Sequence, residues 1–172
     1  MFTLKLKIKK TSLPIEVITK GDWIDLKANK KMNWDAPKLI VENKGTPEET
    51  ASLSYQKVLI PLNIIAELPK GYEALITSRS STFKNFKLIQ ANAPAVIDNS
   101  YKGDKDRWSF QGIAMDKGEV KSGDRICQFK IVLSQKATLW QRVKWLFTSK
   151  IKFEYVDSLN NEGRGGFGST GV

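Results

Sequence analysis

The chain of 172 residues carries 28 Lys and Arg side chains against 18 Asp and Glu, a formal net charge of +10. This length predicts one domain that buries roughly 70% of its unfolded surface. The chain has one cysteine, Cys127, and no histidine, which excludes an internal disulfide, Cys/His zinc sites, Ser-His-Asp triads and Cys-His nucleophiles. Acid–base chemistry therefore falls to carboxylates, lysine or tyrosine.

The predicted elements begin with a strand, because MFTLKLKIKK alternates apolar and polar residues and lacks the continuous apolar run of a signal peptide. Short segments rich in β-branched and aromatic residues then recur between Gly, Pro, Asn and Asp clusters. They are residues 13–19, 38–43, 57–65, 72–78, 108–115, 126–134 and 151–156. This spacing predicts an all-β sandwich, jelly roll or barrel.

Two segments depart from the strand pattern. Residues 137–147, ATLWQRVKWLF, have Leu139, Val143 and Leu146 at helical spacing and predict a short amphipathic helix that bears two tryptophans. Residues 46–54 could form either a second, weaker helix or a loop. Their first residues, Thr and Pro, are typical of a helix start, but few apolar residues at helical spacing follow. No apolar run reaches membrane length, so we expect a cytosolic protein with no membrane partner.

The positive charge attracts anions of several kinds, including nucleic acids, nucleotides and acidic protein faces. The lysines are spread along the chain and do not interleave with aromatic residues in one patch. We therefore expect no sequence-specific binding of nucleic acid.

Five short stretches carry residue types that phosphate chemistry uses. SRSS at 78–81 joins a guanidinium to hydroxyl groups, and the terminal NEGRGGFGSTGV offers an arginine, hydroxyls, an aromatic ring and closely spaced backbone N–H groups. The other three are GDWIDLKA at 21–28, NAPAVIDNSYKGD at 92–104 and SGDRICQ at 122–128. Each stretch alone is a weak signal.

Each stretch also has a purely structural interpretation. Asp25 fits a charge on the outer face of a strand, and SRSS fits a solvated loop. Asp98 and Asn99 fit the turn of a β-hairpin. Asp124 and Arg125 fit an ion pair at a turn, and the glycine-rich tail fits a disordered terminus.

Taken together and in this order, the five stretches resemble the five motifs of the homotrimeric dUTP pyrophosphatases, the dUTPases, and they span almost the full chain. The third and fifth are the most specific, because NAP with ID..Y.G, followed by a terminal G.GGFGSTG, is hard to obtain by chance. The resemblance implies an all-β fold, a distorted jelly roll or β-barrel over residues 1–158 with a short inserted helix. It also implies a flexible arm, residues 159–172, that closes over the active site.

Members of that family hydrolyse dUTP to dUMP and pyrophosphate, which keeps uracil out of DNA and supplies dUMP. The resemblance implies that water attacks the α-phosphorus, with a divalent ion, Mg²⁺, across the triphosphate. It also implies a homotrimer in which each active site is assembled from three subunits. Deamination of dCTP on the same fold is the alternative among enzymes, and the third motif, which is of the pyrophosphatase type, disfavours it.

The implied site residues follow by matching positions to the motifs. Asp98 matches the carboxylate that activates the water and holds the deoxyribose 3'-hydroxyl, and Tyr101 matches the tyrosine that leaves no space for a ribose 2'-hydroxyl. Asn92 matches an asparagine near the uracil edge, and Asp25 matches an aspartate that reaches the metal through water. The phosphate binders of the second and fourth motifs are matched by Arg79, Ser80, Ser81 and Gln128.

The arm supplies the remaining matches. Phe167 matches the aromatic ring that stacks over uracil, and Glu162 stands where the fifth motif usually has an arginine. We therefore expect Arg164 to take over that phosphate contact. The arm residues expected to wrap the β- and γ-phosphates are Arg164, Gly168, Ser169 and Thr170.

Two regions, about 29–56 and about 133–158, are longer than in compact relatives. Such insertions resemble the dUTPases of phages that infect Gram-positive bacteria, some of which also bind a repressor protein. The alternative function is therefore a regulatory interaction protein that binds a repressor through the 133–158 insertion in a nucleotide-dependent way. A role in trimer packing is equally open for that insertion. For a phage-encoded enzyme the expected location is the host cytoplasm.

Overall fold

The computed structural model of the chain describes residues 2–16 and 21–166. Its helices are α1 (Thr82–Phe86) and α2 (Leu139–Leu146). Its strands are β1 (Phe2–Lys9), β2 (Ile24–Lys27), β3 (Met32–Trp34), β4 (Lys38–Glu42), β5 (Thr50–Ser54), β6 (Lys57–Glu67), β7 (Tyr72–Ser78), β8 (Leu88–Gln90), β9 (Ala95–Ile97), β10 (Arg107–Ala114), β11 (Gly118–Val120), β12 (Arg125–Leu133) and β13 (Thr148–Val156).

Two sheets enclose the apolar core. The larger sheet has the order β13-β1-β6-β10-β8, and a four-stranded sheet has the order β2-β12-β7-β9. Along β10, half-buried residues alternate with buried ones, so one face of the strand meets the core. There, Trp108 of β10 meets Phe129 of β12 edge to face, with ring centroids 5.3 Å apart, and joins the two sheets. The expected jelly-roll-like, all-β fold is confirmed.

The last strand returns to the first. β13 runs parallel to β1, with Leu4 opposite Ile151 and Ile8 opposite Tyr155. Leu4, Leu6 and Ile8 of β1 are buried and the residues between them are exposed, whereas Phe2 at the start of the strand is exposed, so the strand predicted from the N-terminal alternation is confirmed. Because β13 ends beside the end of β1, the chain that follows it starts from this corner of the molecule.

Strand β7 lies between β12 and β9 in the four-stranded sheet. Thr77 faces Gln128 of β12 on one side, and Ala74 faces Ile97 of β9 on the other. β9 has one neighbour in this sheet and therefore lies at its edge. The turn after β7 and the loop after β9 lie at opposite ends of β7, because the two strands are antiparallel.

The helix predicted over 137–147 is confirmed as α2, but its contacts differ from the predicted stripe. Trp145 packs against Tyr72 of β7, with ring centroids 5.6 Å apart. Leu139 and Leu146, which the spacing assigned to the packed face, are each 79% exposed. Helix α1 was not predicted, because five residues are too few to show a helical period. Neither helix is long and apolar enough to span a membrane, and none other occurs in the described chain.

The strand expected over residues 13–19 is not observed in residues 13–16, and residues 17–19 lie outside the described part. The amide of Asn63 donates to the carbonyl oxygens of Leu13 and Pro14 at 3.2 and 3.4 Å. A side chain therefore holds this segment where a strand ladder was expected, and Pro14 has no N–H to donate to a ladder.

Residues 46–54 do not form the weaker helix. Their first part is a turn, and residues from Thr50 onward form β5, which pairs with β4 so that Leu39 lies opposite Leu53. The short strand lacks a strong pattern of its own, and its pairing with β4 decides its conformation.

Replacing Trp108 with alanine should lower the free energy of unfolding by about 3–5 kcal/mol, because the truncation leaves a cavity between the two sheets. Thermal and urea unfolding at one fixed protein concentration would measure the loss. Trp140→Ala is the matched control, since Trp140 is 62% exposed and its truncation should change stability by no more than about 0.5 kcal/mol. Equal losses in the two variants would contradict this description of the core.

Candidate active site

Apart from Ser81, the predicted site residues that the structure describes line two separate cavities. The first, of about 240 Å³, lies beside β9 and the loop that follows it; the second, of about 400 Å³, lies between β2, β12 and the turn after β7. They share no lining residue. The first, here the loop cavity, is lined among others by Asn92, Asp98, Tyr101 and Arg164. The second, here the arginine cavity, is lined among others by Asp25, Arg79, Ser80, Arg125 and Gln128.

Asp98 lines the loop cavity with about half of its side chain exposed, 51%. Its Oδ1 accepts hydrogen bonds from the hydroxyl and the backbone N–H of Ser100, and Nη1 of Arg164 lies 3.2 Å from Oδ2. Partial burial raises the pKa of Asp98, but the Ser100 hydrogen bonds and the Arg164 charge together outweigh it and hold the pKa below its ordinary value. Asp98 is therefore ionised at neutral pH.

The turn at Asp98 and Asn99 is confirmed, but the β-hairpin around it is not. The backbone N–H of Tyr101 donates to the carbonyl of Asp98 at 3.2 Å, which closes the turn. However, β9 pairs with β7, whereas β10 pairs with β6 and β8. The chain therefore crosses from one sheet to the other between these strands, and we call this segment the 98–106 loop.

Tyr101 forms a fixed wall of the loop cavity. Its hydroxyl donates to the backbone carbonyl of Arg107 at 3.0 Å. Burial, with a smaller effect from the charge of Asp106, raises the pKa of Tyr101, so the phenol stays neutral at physiological pH. A Cβ at Gly166 would lie 3.1 Å from Cε2 of the ring, so the backbone of the arm runs directly against Tyr101.

Asp106, which the sequence did not single out, organises this region. It is 3% exposed, and its Oδ2 accepts the backbone N–H groups of Gly103 at 2.8 Å and Arg164 at 2.9 Å. Its Oδ1 accepts the N–H of Gly165 at 3.3 Å. A buried carboxylate needs such partners. Two of these partners, Arg164 and Gly165, lie 58 and 59 residues further along the chain. The residues near Asp106 in the sequence therefore could not have predicted these contacts.

Asp25 is buried in the arginine cavity, so its interpretation as a charge on an outer strand face is wrong. Its Oδ1 lies 2.8 Å from Nε of Arg79, and its Oδ2 lies 3.2 Å from Nη1 of Arg125. The expected pair between Asp124 and Arg125 is not formed, because Arg125 turns to Asp25 and the carboxylate of Asp124 accepts the backbone N–H of Lys121. One carboxylate thus orients two guanidinium groups.

Helix α1 positions the SRSS stretch. The backbone N–H of Arg79 donates to Oγ1 of Thr82 at 2.9 Å, and that hydroxyl donates to the carbonyl of Ile126 at 2.6 Å. Ser81 precedes the helix and lies 3.5 Å from Nη1 of Arg79. The buried threonine thereby ties the turn after β7 to the start of β12.

The strand register brings Gln128 to the same cavity. Gln128 lies opposite Asp25 of β2 and opposite Thr77 of β7. The first, second and fourth sequence stretches therefore meet in one chain at the arginine cavity, whereas the third meets the beginning of the fifth at the loop cavity.

The two cavities lie at opposite ends of β7. Ile97 pairs with Ala74, so Asp98 follows at the level of Glu73, whereas Arg79 comes directly after the other end of the strand. Six residues at the strand rise of about 3.3 Å separate these levels by roughly 20 Å. Within one chain, Asp98 and Arg79 therefore do not meet at a single phosphate.

Four predicted arm residues, Phe167, Gly168, Ser169 and Thr170, lie outside the described residues. The described part of the arm ends at Gly166, against the wall of the loop cavity.

The donor set of the arginine cavity fits a metal ion only when the substrate supplies ligands. Within residues 2–16 and 21–166, no three or more His, Cys, Asp or Glu side chains group together to hold a metal. Asp25 and the exposed Asp22 are the acidic residues that line this cavity. Mg²⁺ keeps several waters and takes one or two carboxylates together with substrate phosphates, and this donor set agrees with that preference.

The fold and these two cavities define an all-β protein whose candidate carboxylate and arginine residues lie in two separate cavities. Comparison with known proteins identifies its family. Residues 46–171 match the family model described as dUTPase. The SPbeta prophage-derived deoxyuridine 5'-triphosphate nucleotidohydrolase of Bacillus subtilis is 39% identical over 98% of this chain and 99% of that protein. The chain belongs to the dUTPase family.

Solved structures share the fold at low identity. The dUTPase from Streptococcus mutans aligns with a TM-score of 0.56 and 18% identity, over 72% of this chain and 88% of that one. A mutant dUTPase from phage phi11 of S. aureus, described with a structural Mg(II) ion, aligns with a TM-score of 0.52 and 15% identity, over 74% of this chain and 86% of that one.

Arg164→Gln should raise the pKa of Asp98, because a nearby positive charge favours the ionised carboxylate. The pair stabilises the fold near neutral pH, and this stabilisation is lost as the pH falls through the lowered pKa of Asp98. Titration of the carboxyl carbon by NMR would measure the shift. Lys105→Gln removes an exposed charge from the same loop and should leave the titration of Asp98 unchanged. An unchanged midpoint in Arg164→Gln would refute the contact.

Proposed function

We propose that the protein hydrolyses dUTP to dUMP and pyrophosphate by attack of water on the α-phosphorus, and so keeps uracil out of DNA and supplies dUMP. Membership of the dUTPase family and the name of the Bacillus relative support this activity. The observation that carries it is Asp98, an ionised carboxylate beside a cavity, held by Ser100 and reached by the terminal arm.

Asp98 acts as the general base. Its lowered pKa keeps it unprotonated near neutral pH, and the two hydrogen bonds from Ser100 hold its orientation. Arg164 leaves Asp98 for the phosphates when substrate binds. This exchange removes a positive charge from the carboxylate, so its pKa rises and it becomes a stronger base as the substrate arrives.

The loop cavity takes the uracil and the deoxyribose. Strand β9 lies at a sheet edge, so outward main-chain N–H and C=O groups of residues 95–97 are free to hydrogen-bond to the base, with Asn92 beside them. Cytosine would leave these groups wrongly paired. The ring of Tyr101, held by its bond to Arg107, occupies the space that a ribose 2'-hydroxyl would need.

The arginine cavity of a neighbouring subunit binds the phosphates. The roughly 20 Å between Asp98 and Arg79 along β7 supports this division, because a general base must come within about 3 Å of the attacking water. Arg79, Ser80, Ser81 and Gln128 of that neighbour then complete the site. In a closed ring of three copies, a homotrimer, every subunit supplies its loop cavity to one active site and its arginine cavity to another.

Mg²⁺ is the proposed cofactor, held by Asp25 through bound water and by the phosphates of the substrate. When bound, it neutralises charge that develops on the triphosphate. Asp25 also holds Arg79 and Arg125 beside this position, so its substitution would disturb both the metal and the phosphate contacts.

The division into a barrel, 1–158, and an arm, 159–172, is part of this proposal. Phe167 would stack over the uracil while Gly168, Ser169 and Thr170 wrap the β- and γ-phosphates. The family match extends to residue 171 and therefore includes these positions. Closure would exclude water other than the nucleophile.

The prophage origin of the 39%-identical relative supports a phage-type enzyme that acts in the host cytoplasm. Binding of a repressor through the 133–158 insertion stays a prediction. The exposed apolar side chains of α2 and its end would supply the contact area; they include Leu139, Trp140, Leu146 and Phe147.

Asp98→Asn should reduce turnover of dUTP by about 10²–10⁴-fold while nucleotide binding is retained, because the amide cannot accept the proton. Pyrophosphate release with dUTP, dCTP, dTTP and UTP measures rate and specificity together. Asp116→Asn, at an exposed turn, is the matched control and should keep the wild-type rate. Near-normal turnover by Asp98→Asn, or equal rates on dUTP and dCTP in the wild type, would refute the proposal.

A further inference from the structure

The charges that line the arginine cavity cancel one another. The guanidinium groups of Arg79 and Arg125 face the carboxylate of Asp25, and the exposed Asp22 lines the same cavity. Two positive charges are therefore balanced by two negative ones. A triphosphate keeps a net negative charge even with one Mg²⁺ bound, and a lining without net charge attracts it weakly. A further cation beside the cavity would change this balance.

The strand register places Lys130 beside this cavity. Gln128 and Lys130 are two residues apart on β12, so their side chains leave the same face of the sheet. Gln128 lies opposite Asp25 of the antiparallel strand β2. Continuing this register by two residues places Trp23 beside Lys130. The two side chains therefore come next to a pair of residues that both line the arginine cavity.

The indole ring of Trp23 holds the ammonium group of Lys130. Nζ of Lys130 lies 4.9 Å from the centroid of the ring, which is a cation–π contact. Trp23 itself lines the arginine cavity, and both side chains are half-buried. The contact restricts the long lysine side chain before any ligand binds, so less conformational freedom is lost when the ammonium meets an anion.

The charge of Lys130 is not neutralised by a carboxylate. Lys27 of β2 pairs with Glu16, whereas Lys130 takes part in none of the ion pairs among residues 2–16 and 21–166. Its neighbour is the face of the Trp23 ring. An aromatic face attracts the cation but leaves its N–H donors able to bind an oxygen acceptor.

We propose that Lys130 is a further binding residue for the triphosphate of dUTP, and that Trp23 is the positioning residue that holds it beside the arginine cavity. The ammonium adds a positive charge where the other charges cancel, and it donates to a phosphate oxygen that the guanidinium groups leave free. Trp23 lies within the first sequence stretch, and Lys130 lies two residues beyond the end of the fourth. The inference rests on the proposed function, because it extends the same phosphate site.

The alternative is a purely structural pair. β2 has one neighbour, β12, and therefore lies at the edge of its sheet. A contact between Trp23 and Lys130 across these two strands would stabilise that edge without touching a ligand. In that case the charge at position 130 would affect the stability of the fold and not the affinity for phosphate.

Lys130→Gln should weaken the binding of inorganic triphosphate about 10-fold, because one charge-assisted contact is lost. Calorimetry at fixed ionic strength with Mg²⁺ present measures this affinity without relying on hydrolysis. Binding of deoxyuridine, which has no phosphate, should change less than about twofold. Lys57→Gln is the matched control, since Lys57 is exposed and lines neither cavity, and it should bind triphosphate like the wild type.

The outcomes separate this inference from the proposed hydrolysis. Unchanged triphosphate affinity in Lys130→Gln would overturn the role of Lys130, and equal weakening for triphosphate and deoxyuridine would show a structural effect and overturn it too. A wild type that binds triphosphate through Lys130 but does not hydrolyse dUTP would refute the hydrolysis and leave the phosphate contact standing. A wild type that binds no triphosphate would refute the phosphate site, and the inference would fall with it.

A double-mutant cycle tests Trp23. Lys130→Gln alone should raise KM for dUTP about 10-fold with kcat within about twofold, because the contact serves substrate and transition state alike. In a Trp23→Leu background the same change should raise KM less than about threefold, because the ammonium is no longer held in place. Lys130→Arg should keep KM near that of the wild type, since a guanidinium also stacks on tryptophan and binds phosphate.

Thermal unfolding and size-exclusion chromatography would show that the variants keep the fold and the oligomeric state of the wild type. Equal effects of Lys130→Gln in the two backgrounds would overturn the positioning role of Trp23. Loss of the wild-type oligomeric state in Lys130→Gln, or failure of Lys130→Arg to restore KM, would mean that Lys130 serves packing and would overturn its assignment to phosphate.

Discussion

The length of β7 is the constraint on which the rest of the site depends. This strand pairs with β12 on one side and β9 on the other, so it carries the arginine cavity at one end and the loop cavity at the other. The rise of a strand is nearly fixed at about 3.3 Å per residue. The length of β7 therefore sets the distance between the candidate site residues at its two ends. The geometry of one strand therefore keeps the two groups of candidate site residues at separate places within one chain.

Two buried carboxylates stabilise the two ends. Asp25 faces the guanidinium groups of Arg79 and Arg125, whereas Asp106 faces backbone N–H groups of the loop and the arm. Burial of an ionised carboxylate is unfavourable unless its oxygens are satisfied, so each acid draws distant segments towards it. Asp25 orients two guanidinium groups, and Asp106 joins the 98–106 loop to the chain at Arg164.

Much of the fold follows from local pattern. The N-terminal alternation, the strands of residues 57–65, 72–78, 108–115 and 126–134, and the helix over 137–147 all appear in the structure near their predicted bounds. The errors arise where a distant partner overrides the pattern. Asn63 holds the segment around Pro14, and pairing with β4 makes β5 a strand.

The sequence by itself determined the family-like order of the five stretches, the all-β class and the identity of most candidate site residues, since residue types and short periods are written along the chain. Only the tertiary structure decided which of these residues meet. Arg125 turned to Asp25 in place of its neighbour Asp124, and Asp106 found partners in the arm. Such contacts depend on strand register and on which buried group remains unsatisfied, and neither quantity is recorded in any local stretch of residues.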